Sequence, residues 1–216
     1  MLAKAAGTAR GRVLEIGCGS GIASLACAKS DPGNRVLGID ISEAAARCAS
    51  ENAERNKIKN ARFLVNDFFK GLDTDDTEEF DAILFNPPYL PTEYNERLEG
   101  SLNEAFDGGK DGRKILDPFL DRFDRYLKPG GSLFLVQSSL NGPKKTERKL
   151  ARMGYTQKIV EKEDFFFESV FIIKATKKAT KTNRTGHGMK KAETAQAGKG
   201  KKKPVAESKA RVARIR

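Results

Sequence analysis

Residues 12–21 read Arg12-Val13-Leu14-Glu15-Ile16-Gly17-Cys18-Gly19-Ser20-Gly21, and this stretch decides the fold. The run up to Ile16 is typical of a buried strand, the alternate glycines indicate a tight turn, and residues 22–29 have helical spacing. A strand, a glycine turn and a helix in this order open a nucleotide-binding α/β unit. The sequence therefore predicts a doubly wound α/β domain.

The residues around this turn indicate the charge of the ligand. The dinucleotide fingerprint G-x-G-x-x-G requires glycine at position 22, which is Ile22 here, and an acid, Glu15, precedes the turn. Glu15 would repel a pyrophosphate, whereas it would attract the ammonium and sulfonium groups of S-adenosylmethionine. We expect the amino-acid end of that cofactor to be bound by the acid and the turn, namely Glu15, Gly17, Cys18, Gly19 and Gly21.

Two further predicted strands end in acids. Residues 36–40 end in Asp40, which is placed to accept hydrogen bonds from both ribose hydroxyls and is followed by Ile41, also assigned to the cofactor site. Residues 62–66 lead into Asp67 and Phe68, which would accept from the adenine amino group and flank the ring. The alternatives are that Asp40 caps a helix, a role that Ser42 could fill, and that Asp67 is a turn carboxylate.

The apolar run 80–85 is followed by Asn86-Pro87-Pro88-Tyr89. Proline has no N–H, and it holds the preceding residue extended, so two prolines form a stiff turn whose carbonyls have no competing donors. The Asn86 side-chain oxygen and the Pro87 carbonyl could accept both hydrogens of a planar –NH2 group, while Tyr89 stacks on it. These four residues form the predicted catalytic motif, and Asn86 is also assigned to the cofactor site; an ordinary proline turn is the alternative.

Together these motifs resemble those of the HemK-type protein-(glutamine-N5) methyltransferases; the residues that carry the resemblance are Glu15–Gly21, Asp40, Asn66-Asp67 and Asn86–Tyr89. Residues 103–113 are similar to the glycine-rich loop that follows N-P-P-Y in that family, and the resemblance covers roughly residues 12–174. It implies S-adenosyl-L-methionine as cofactor and methyl transfer to the glutamine of the Gly-Gly-Gln loop in a peptide-chain release factor.

The resemblance also implies a fold and a partner. Class I methyltransferases have a seven-stranded, mostly parallel, Rossmann-like sheet of order 3-2-1-4-5-7-6 with an antiparallel C-terminal hairpin. The short archaeal and eukaryotic branch pairs with a small zinc-binding activator protein, which we expect to cover the third strand. That branch carries a Pro-x-Glu-Asp-Thr-like segment ahead of the first strand, whereas Met1–Gly11 precede it here. We therefore expect a truncated or reduced N-terminal lid.

Two other functions are compatible with parts of the sequence. Amino-group methyltransferases that act on adenine N6 or cytosine N4 of nucleic acids also contain N-P-P-Y, and a flipped base could stack on Tyr89. Against this alternative, residues 1–174 carry 26 Lys and Arg and 27 Asp and Glu, so they lack the net positive charge that duplex binding favours. A non-catalytic scaffold is the alternative of another class.

Charge divides the chain into a methyltransferase domain, residues 1–174, and a tail, residues 175–216. The tail contains 14 Lys and Arg, two Glu and no aromatic residue, so we expect it to be disordered and to contact the ribosome or RNA electrostatically. The single histidine, His187, lies in the tail, so no histidine-based catalysis or metal site is expected in the domain. No apolar run approaches membrane-spanning length, and we expect a cytoplasmic protein without membrane contact.

The coarse element pattern completes the prediction. Ser42 to Asn56 should be a helix, capped by Ser42, with Ala44, Ala45, Cys48 and Ala49 on its inner face, and Cys27 should also be buried. A helix over 115–127 should stop at Pro129-Gly130-Gly131, before a strand over 132–137. A helix over 146–153 should precede two strands, 156–160 and 169–174, that turn near Glu163. Residues 73–79 and 94–112 are predicted loops, in which Glu104 and Asp107 are either functional contacts or turn carboxylates.

Overall fold

The computed structural model describes residues 1–70, 72, 79–91 and 107–179. Its seven strands form one sheet of order β3-β2-β1-β4-β5-β7-β6, as predicted. Strands β1 to β5 are parallel to one another, and β7 is antiparallel to both β5 and β6. The strands are β1 Arg12–Ile16, β2 Arg35–Asp40, β3 Ala61–Val65, β4 Phe80–Phe85, β5 Leu127–Ser138, β6 Tyr155–Asp164 and β7 Ser169–Lys177.

Five α-helices are described, and two 3-10 turns lie at Phe123–Tyr126 and Ser139–Asn141. Apolar residues cover both faces of the sheet, because one cluster contains Leu14, Phe85 and Leu135 while the other contains Val13, Leu84 and Val136. Burial on both faces is what a doubly wound sheet requires. The helices are α1 Leu2–Ala6, α2 Ile22–Ser30, α3 Glu43–Arg55, α4 Leu116–Leu120 and α5 Pro143–Arg152.

The inner face of α3 differs from the prediction. Ser42 caps the helix, since its hydroxyl accepts from Ala45 N at 3.3 Å, as expected. The buried residues are Ala46, Ala49 and Ala53, so the buried stripe lies away from Ala44, Ala45 and Cys48. Cys48 is exposed, and the prediction that it is a core residue was wrong, whereas Cys27 is buried. Alanines on several faces of the helix left the sequence pattern ambiguous.

The region after α4 also differs. The predicted helix over 115–127 is a short helix, α4, followed by a 3-10 turn, and β5 begins at Leu127. Pairing passes from Phe80↔Leu127 to Ala82↔Ser132, so the intervening residues of β5 form a bulge in which Gly130 has φ +84°. Pro129-Gly130-Gly131 therefore interrupts the pairing of a strand instead of separating a helix from a strand.

The C-terminal hairpin is longer than predicted. Strand β6 continues to Asp164, and the turn lies at residues 165–168 instead of near Glu163. Strand β7 continues three residues beyond the predicted boundary at 174, and Lys177 Nζ donates to the carbonyls of Asp124 (2.6 Å) and Leu127 (2.8 Å).

The described residues up to Ala179 belong to one compact unit. None of the described helices combines the length and the apolar composition needed to cross a membrane. The loop predictions at 73–78 and 92–106, with Glu104, and the tail from 180 onwards lie outside the described residues.

Candidate active site

The glycine turn between β1 and α2 leaves open space above the sheet. Gly17 has φ +63° and Gly19 has φ +53°, conformations that favour glycine. A Cβ added at either residue would meet nothing within 4 Å, so their own backbone conformation requires glycine while the space beside them stays open. Gly21 differs, because an added Cβ there would lie 2.9 Å from Ala49 Cβ and 3.0 Å from Phe63 Cζ. Gly21 therefore allows α2 to start against α3 and β3.

Glu15 is a buried acid beneath this turn. Its Oε2 accepts from Ser24 N at 2.7 Å and from Ser24 Oγ at 2.5 Å, and Oε1 accepts no hydrogen bond from any described residue. Burial raises the pKa of Glu15 to about 7, because the loss of hydration outweighs the two hydrogen bonds from Ser24. A buried carboxyl with one oxygen available fits a positively charged group of a ligand.

Asp40 joins the glycine turn to the start of α3. Its Oδ2 accepts from Gly19 N at 2.8 Å, and its Oδ1 accepts from Ser42 N at 2.9 Å. Each carboxylate oxygen can accept a second hydrogen bond, so accepting from these two backbone N–H groups leaves Asp40 able to bind the ribose hydroxyls as well. The alternative that Asp40 caps the helix is not supported, because the side-chain cap of α3 is Ser42. Ile41 follows with its side chain 57% exposed, available as an apolar lining.

Cys18 occupies the turn as a small buried residue. Its N–H donates to the Ile39 carbonyl at 3.0 Å, which connects the turn to the end of β2. Burial raises the pKa of the Cys18 thiol to about 12, and the nearby Glu15 and Asp40 carboxyls add to the shift. The thiol is therefore protonated at neutral pH and is not a nucleophile.

The segment after β3 contains a backbone conformation that the sequence did not predict. Phe68 has φ +47°, which is rare for a bulky residue and costs of order 1–3 kcal/mol. Asn66 stabilises it by donating from Nδ2 to the Phe68 carbonyl at 3.0 Å, and the Phe68 ring meets the Phe85 ring edge-on at 6.1 Å. Asp67 is exposed, and its carboxylate makes no hydrogen bond to a described residue.

The Asn-Pro-Pro-Tyr motif directly follows β4. Asn86 is exposed, and its side chain makes no hydrogen bond within the described residues, whereas Pro87 is buried and Pro88 is half-buried. The half-buried Tyr89 has a raised pKa, because of burial first and the neighbouring Glu168 carboxylate second. The prolines therefore fix the backbone while the Asn86 amide remains available to a ligand.

A glycine-rich loop packs against the backbone of this motif. A Cβ added at Gly112 would collide with the Tyr89 carbonyl, and one at Gly108 would collide with the Leu90 carbonyl, so only glycine permits this approach. Asp107 is a buried turn carboxylate that accepts from Gly109 N (2.9 Å) and Lys114 Nζ (2.7 Å). Its interpretation as a turn residue therefore has direct support.

Arg113 anchors the loop, a role that the sequence did not predict. The guanidinium is almost fully buried and donates to the Asn141 carbonyl at 2.7 Å, to Thr146 Oγ1 at 3.0 Å and to Asp117 Oδ1 at 2.7 Å. It thereby joins the loop to α4, to the 3-10 turn after β5 and to α5. The only sequence signal was its place at the end of the glycine-rich stretch.

The sheet register brings these features to one edge. Ile16 pairs with Ile39 on one side and with Phe85 on the other, and Asp40 pairs with Val65. The carboxyl ends of β1 to β4 are therefore level, and they carry the glycine turn, Asp40, the Asn66–Phe68 segment and Asn86. Ligands of open α/β sheets bind at this edge. The fold and the edge together define a class I S-adenosylmethionine-dependent methyltransferase.

Comparisons with known proteins define the family. The family model described as "Methyltransferase domain" matches residues 8–201. A Methanocaldococcus jannaschii protein described as a protein N5-glutamine methyltransferase is 45% identical over 163 residues, which are 76% of this chain and 80% of that protein. Human Methyltransferase HEMK2 is 31% identical over 165 residues, 76% and 77% of the two chains. The chain belongs to the HemK-type glutamine-N5 methyltransferase family and is an S-adenosylmethionine-dependent N-methyltransferase.

Two further similarities are more limited, the first in how much of the relative's length it spans and the second in sequence identity. The release factor glutamine methyltransferase of Thermodesulfovibrio yellowstonii is 33% identical over 172 residues, 77% of this chain, and the match spans 60% of that protein's length. The solved structure of the E. cuniculi Mtq2-Trm112 complex, which is responsible for methylation of the eRF1 translation termination factor, is similar to this chain with a TM-score of 0.59. It covers 82% of this chain and 90% of that chain at 23% identity, so it supports the fold.

Proposed function

We propose that this chain transfers a methyl group to the side-chain amide nitrogen of a glutamine, in the Gly-Gly-Gln loop of a peptide-chain release factor. The single observation that carries the proposal is the available Asn86 amide on a fixed proline backbone at the ligand edge of the sheet. The relatives support the substrate class, since the M. jannaschii protein is described as acting on glutamine and the T. yellowstonii protein on release factors.

The proposed chemistry begins with a poor nucleophile. The lone pair of an amide nitrogen is delocalised into its carbonyl, so the acceptor must be polarised and oriented. The Asn86 side-chain oxygen and the Pro87 carbonyl would accept its two hydrogens, which concentrates electron density on nitrogen. Tyr89 would pack on the planar amide, and the rigid Pro87-Pro88 backbone would fix its direction. Orientation and preorganised acceptors would provide most of the rate acceleration.

The other predicted residues would hold the cofactor. S-adenosylmethionine, when bound, supplies the electrophilic methyl group. We propose that Glu15 pairs with its positively charged end beside Gly17 and Gly19, where the absence of Cβ atoms leaves room. Asp40 would accept from the ribose hydroxyls, while Ile41, Asp67 and Phe68 would contact the adenine.

Strand β3 supports the proposal of a partner. It is an edge of the sheet, and Leu64 (47% exposed) and Val65 (55% exposed) lie uncovered there, whereas Phe63 packs against Gly21 and Gly38. Such an apolar edge invites pairing with another strand. We propose that a small zinc-binding activator protein covers it; the solved E. cuniculi complex has a second protein, Trm112, alongside Mtq2.

One experiment tests the substrate. The purified chain, with its partner, is incubated with labelled S-adenosylmethionine and, in parallel, a release factor, the same factor with its loop glutamine changed to alanine, and RNA. We expect label in the first protein alone. Label in RNA would establish the nucleic-acid alternative, and label in the alanine variant would place the acceptor elsewhere in the release factor.

A further inference from the structure

Three consecutive phenylalanines are exposed at the turn of the β6–β7 hairpin. Phe165, Phe166 and Phe167 have relative exposures of 53%, 103% and 73%. We call these three residues the phenylalanine tip. Single exposed apolar residues are ordinary, but three adjacent aromatic rings form a contiguous apolar patch of the kind that marks an interaction surface.

The phenylalanine tip stands beside the proposed acceptor site. Phe85 pairs with Leu135, and Leu135 pairs with Ile173, so Asn86 is level with Ile172 and two strands away from it. Strands are spaced about 4.8 Å apart and rise about 3.3 Å per residue. Ser169, the first residue of β7, therefore lies about 10 Å past the level of Asn86 and about 10 Å to one side, and the turn that carries the tip continues from there.

Hydrogen bonds hold the tip at this edge. Phe165 N donates to the Glu168 carbonyl at 2.7 Å and closes the turn. Ser138 Oγ, at the end of β5, donates to Glu168 Oε2 at 2.6 Å, and Ser169 N donates to Ser139 Oγ at 3.0 Å. The 3-10 turn after β5 adds Leu140, 46% exposed, beside these contacts. The apolar patch is thus a fixed wall beside the site.

The charges around the tip indicate the kind of partner. Glu163 and Asp164 precede it and Glu168 follows it, while Lys162, the cation nearest to it in sequence, is paired with Asp164 at 2.7 Å. Exposed rings could stack on bases, but an acidic rim repels the phosphates of nucleic acids and the headgroups of anionic membranes. An apolar protein surface flanked by Lys or Arg is complementary to the tip, because its apolar part matches the phenylalanine rings and its cations match the acidic rim.

We infer that the phenylalanine tip is a docking surface for the substrate protein, and that it binds an apolar patch flanked by basic residues outside the methylated loop. This inference rests on the proposed function. The position of the tip is consistent with it, because the tip extends from the same edge of the sheet that carries Asn86, where a protein whose loop reaches Asn86 would also lie. A short peptide that contains only the acceptor loop would not reach the tip.

The test compares two substrates with two variants. Phe166→Ser and the triple variant Phe165→Ser/Phe166→Ser/Phe167→Ser are measured with a full-length release factor and with a short peptide that contains its acceptor glutamine. We expect KM for the full-length factor to rise on the order of tenfold or more with kcat unchanged, as for loss of a central aromatic contact. KM for the peptide should not change. Ile159→Ser, 53% exposed on β6 away from the turn, is the matched control and should change neither.

The remaining outcomes separate the two proposals. If the unaltered chain methylates the release factor and the tip variants match it, the docking inference is wrong. Equal losses on the factor and on the peptide would also overturn it, since the tip would then act on the acceptor site itself. If the unaltered chain, assayed together with its activator protein, methylates neither protein nor peptide, the proposed function fails. Self-association that the triple variant abolishes, or binding of RNA or anionic vesicles that it weakens, would assign the tip another occupant.

Discussion

Asn86 is the residue whose chemistry decides the proposed function. Its side chain makes no hydrogen bond to a described residue, so replacement by alanine should not disturb the fold. For Asn86→Ala we expect methyl transfer to fall on the order of a hundredfold or more, comparable to the loss of one preorganised polar contact in a transition state. Cofactor affinity should stay within a few-fold, measured by calorimetry beside single-turnover kinetics.

A matched control is Asn56→Ala, an asparagine on the same domain whose Nδ2 donates, among the described residues, to the Asn52 carbonyl in the last turn of α3. It should leave transfer unchanged. Normal turnover by Asn86→Ala would show that the acceptor amide binds elsewhere.

Glu15 predicts a pH dependence of cofactor binding. Its pKa of about 7 means that it loses its proton near neutral pH, and the ionised form attracts a cation more strongly. Affinity for S-adenosylmethionine should therefore increase by about tenfold from pH 6 to pH 8, because the ionised fraction of such a group rises from about one tenth to about nine tenths over that range. Glu15→Gln should give weaker, pH-independent binding. Calorimetry in buffers of different ionisation enthalpy would detect the released proton, and no proton release would contradict the assignment.

The same group gives a stability change of known sign. Folding raises the pKa of Glu15 from its ordinary value of 4.5 to about 7, so the folded state binds this proton more tightly than the unfolded state does. The contribution of Glu15 to the free energy of unfolding must then decrease as pH rises from about 4.5 to about 7. In Glu15→Gln this part of the pH dependence should disappear from denaturant titrations.

Asp40 combines a structural and a proposed binding role. Its two hydrogen bonds, to Gly19 N and Ser42 N, are lost in Asp40→Ala together with the acceptor for ribose. We expect cofactor binding to weaken by about 1.5–3 kcal/mol, the range for hydrogen bonds to a charged group, with a lower unfolding temperature. Asp40→Asn, which keeps one oxygen acceptor, should lose less of both. Unchanged affinity in the alanine variant would place the ribose elsewhere.

At the scale of elements, sequence predicted the strands that carry the site more reliably than the segments between them. Strands β1 and β4 match their predicted bounds because continuous apolar runs are bounded by turn residues there. The location of the acids and of Asn86 could be predicted from their place at the ends of these strands, because the carboxyl ends of parallel strands meet at the same edge of the sheet. Glycine-turn conformations at Gly17 and Gly19 were likewise implied by the motif.

What sequence did not predict depends on contacts between distant segments. The strain at Phe68 is stabilised by Asn66 and by packing on Phe85, and no local pattern encodes it. Arg113 gains its role from partners about 28 and 33 positions away, Asn141 and Thr146. The bulge in β5 likewise requires knowledge of its pairing with β4. Local secondary-structure propensity carries no information about such tertiary contacts, so the sequence pattern could not predict them.

The edge strand β3 yields a prediction about assembly. If an activator protein pairs with it, the isolated chain should be weakly active or poorly soluble and should be rescued by co-expression with that partner. Val65→Glu should prevent co-elution in size-exclusion chromatography, because a charge would be placed in the paired edge. Ile159→Glu, on the opposite edge strand β6, is the matched control and should still co-elute. A fully active, monodisperse chain alone would contradict the heterodimer.

At the scale of the whole molecule, the change in charge along the chain and the end of the packed domain fall at different residues. Residues 1–174 are nearly neutral, and the basic excess lies in residues 175–216. Lys177 nevertheless belongs to the domain, since its ammonium group donates to the carbonyls of Asp124, in the 3-10 turn, and Leu127, at the start of β5, and pairs with the Asp124 carboxylate at 3.2 Å. We therefore propose that the boundary between domain and tail lies after β7 rather than at 174.

Removing the tail tests this boundary and the tail's proposed function together. A chain that ends at Ala179 keeps all of β7, so its unfolding temperature and cofactor affinity should equal those of the full chain. Attraction between the tail's lysines and an RNA or ribosome surface is screened within about 10 Å at 0.1 M salt. Truncation should therefore weaken RNA or ribosome association at low salt and have little effect at high salt. A chain that ends at Lys174 is the informative comparison, because it lacks Lys177 and the last residues of β7. It should unfold at a lower temperature, and if it is instead as stable as the full chain, the boundary after β7 is wrong.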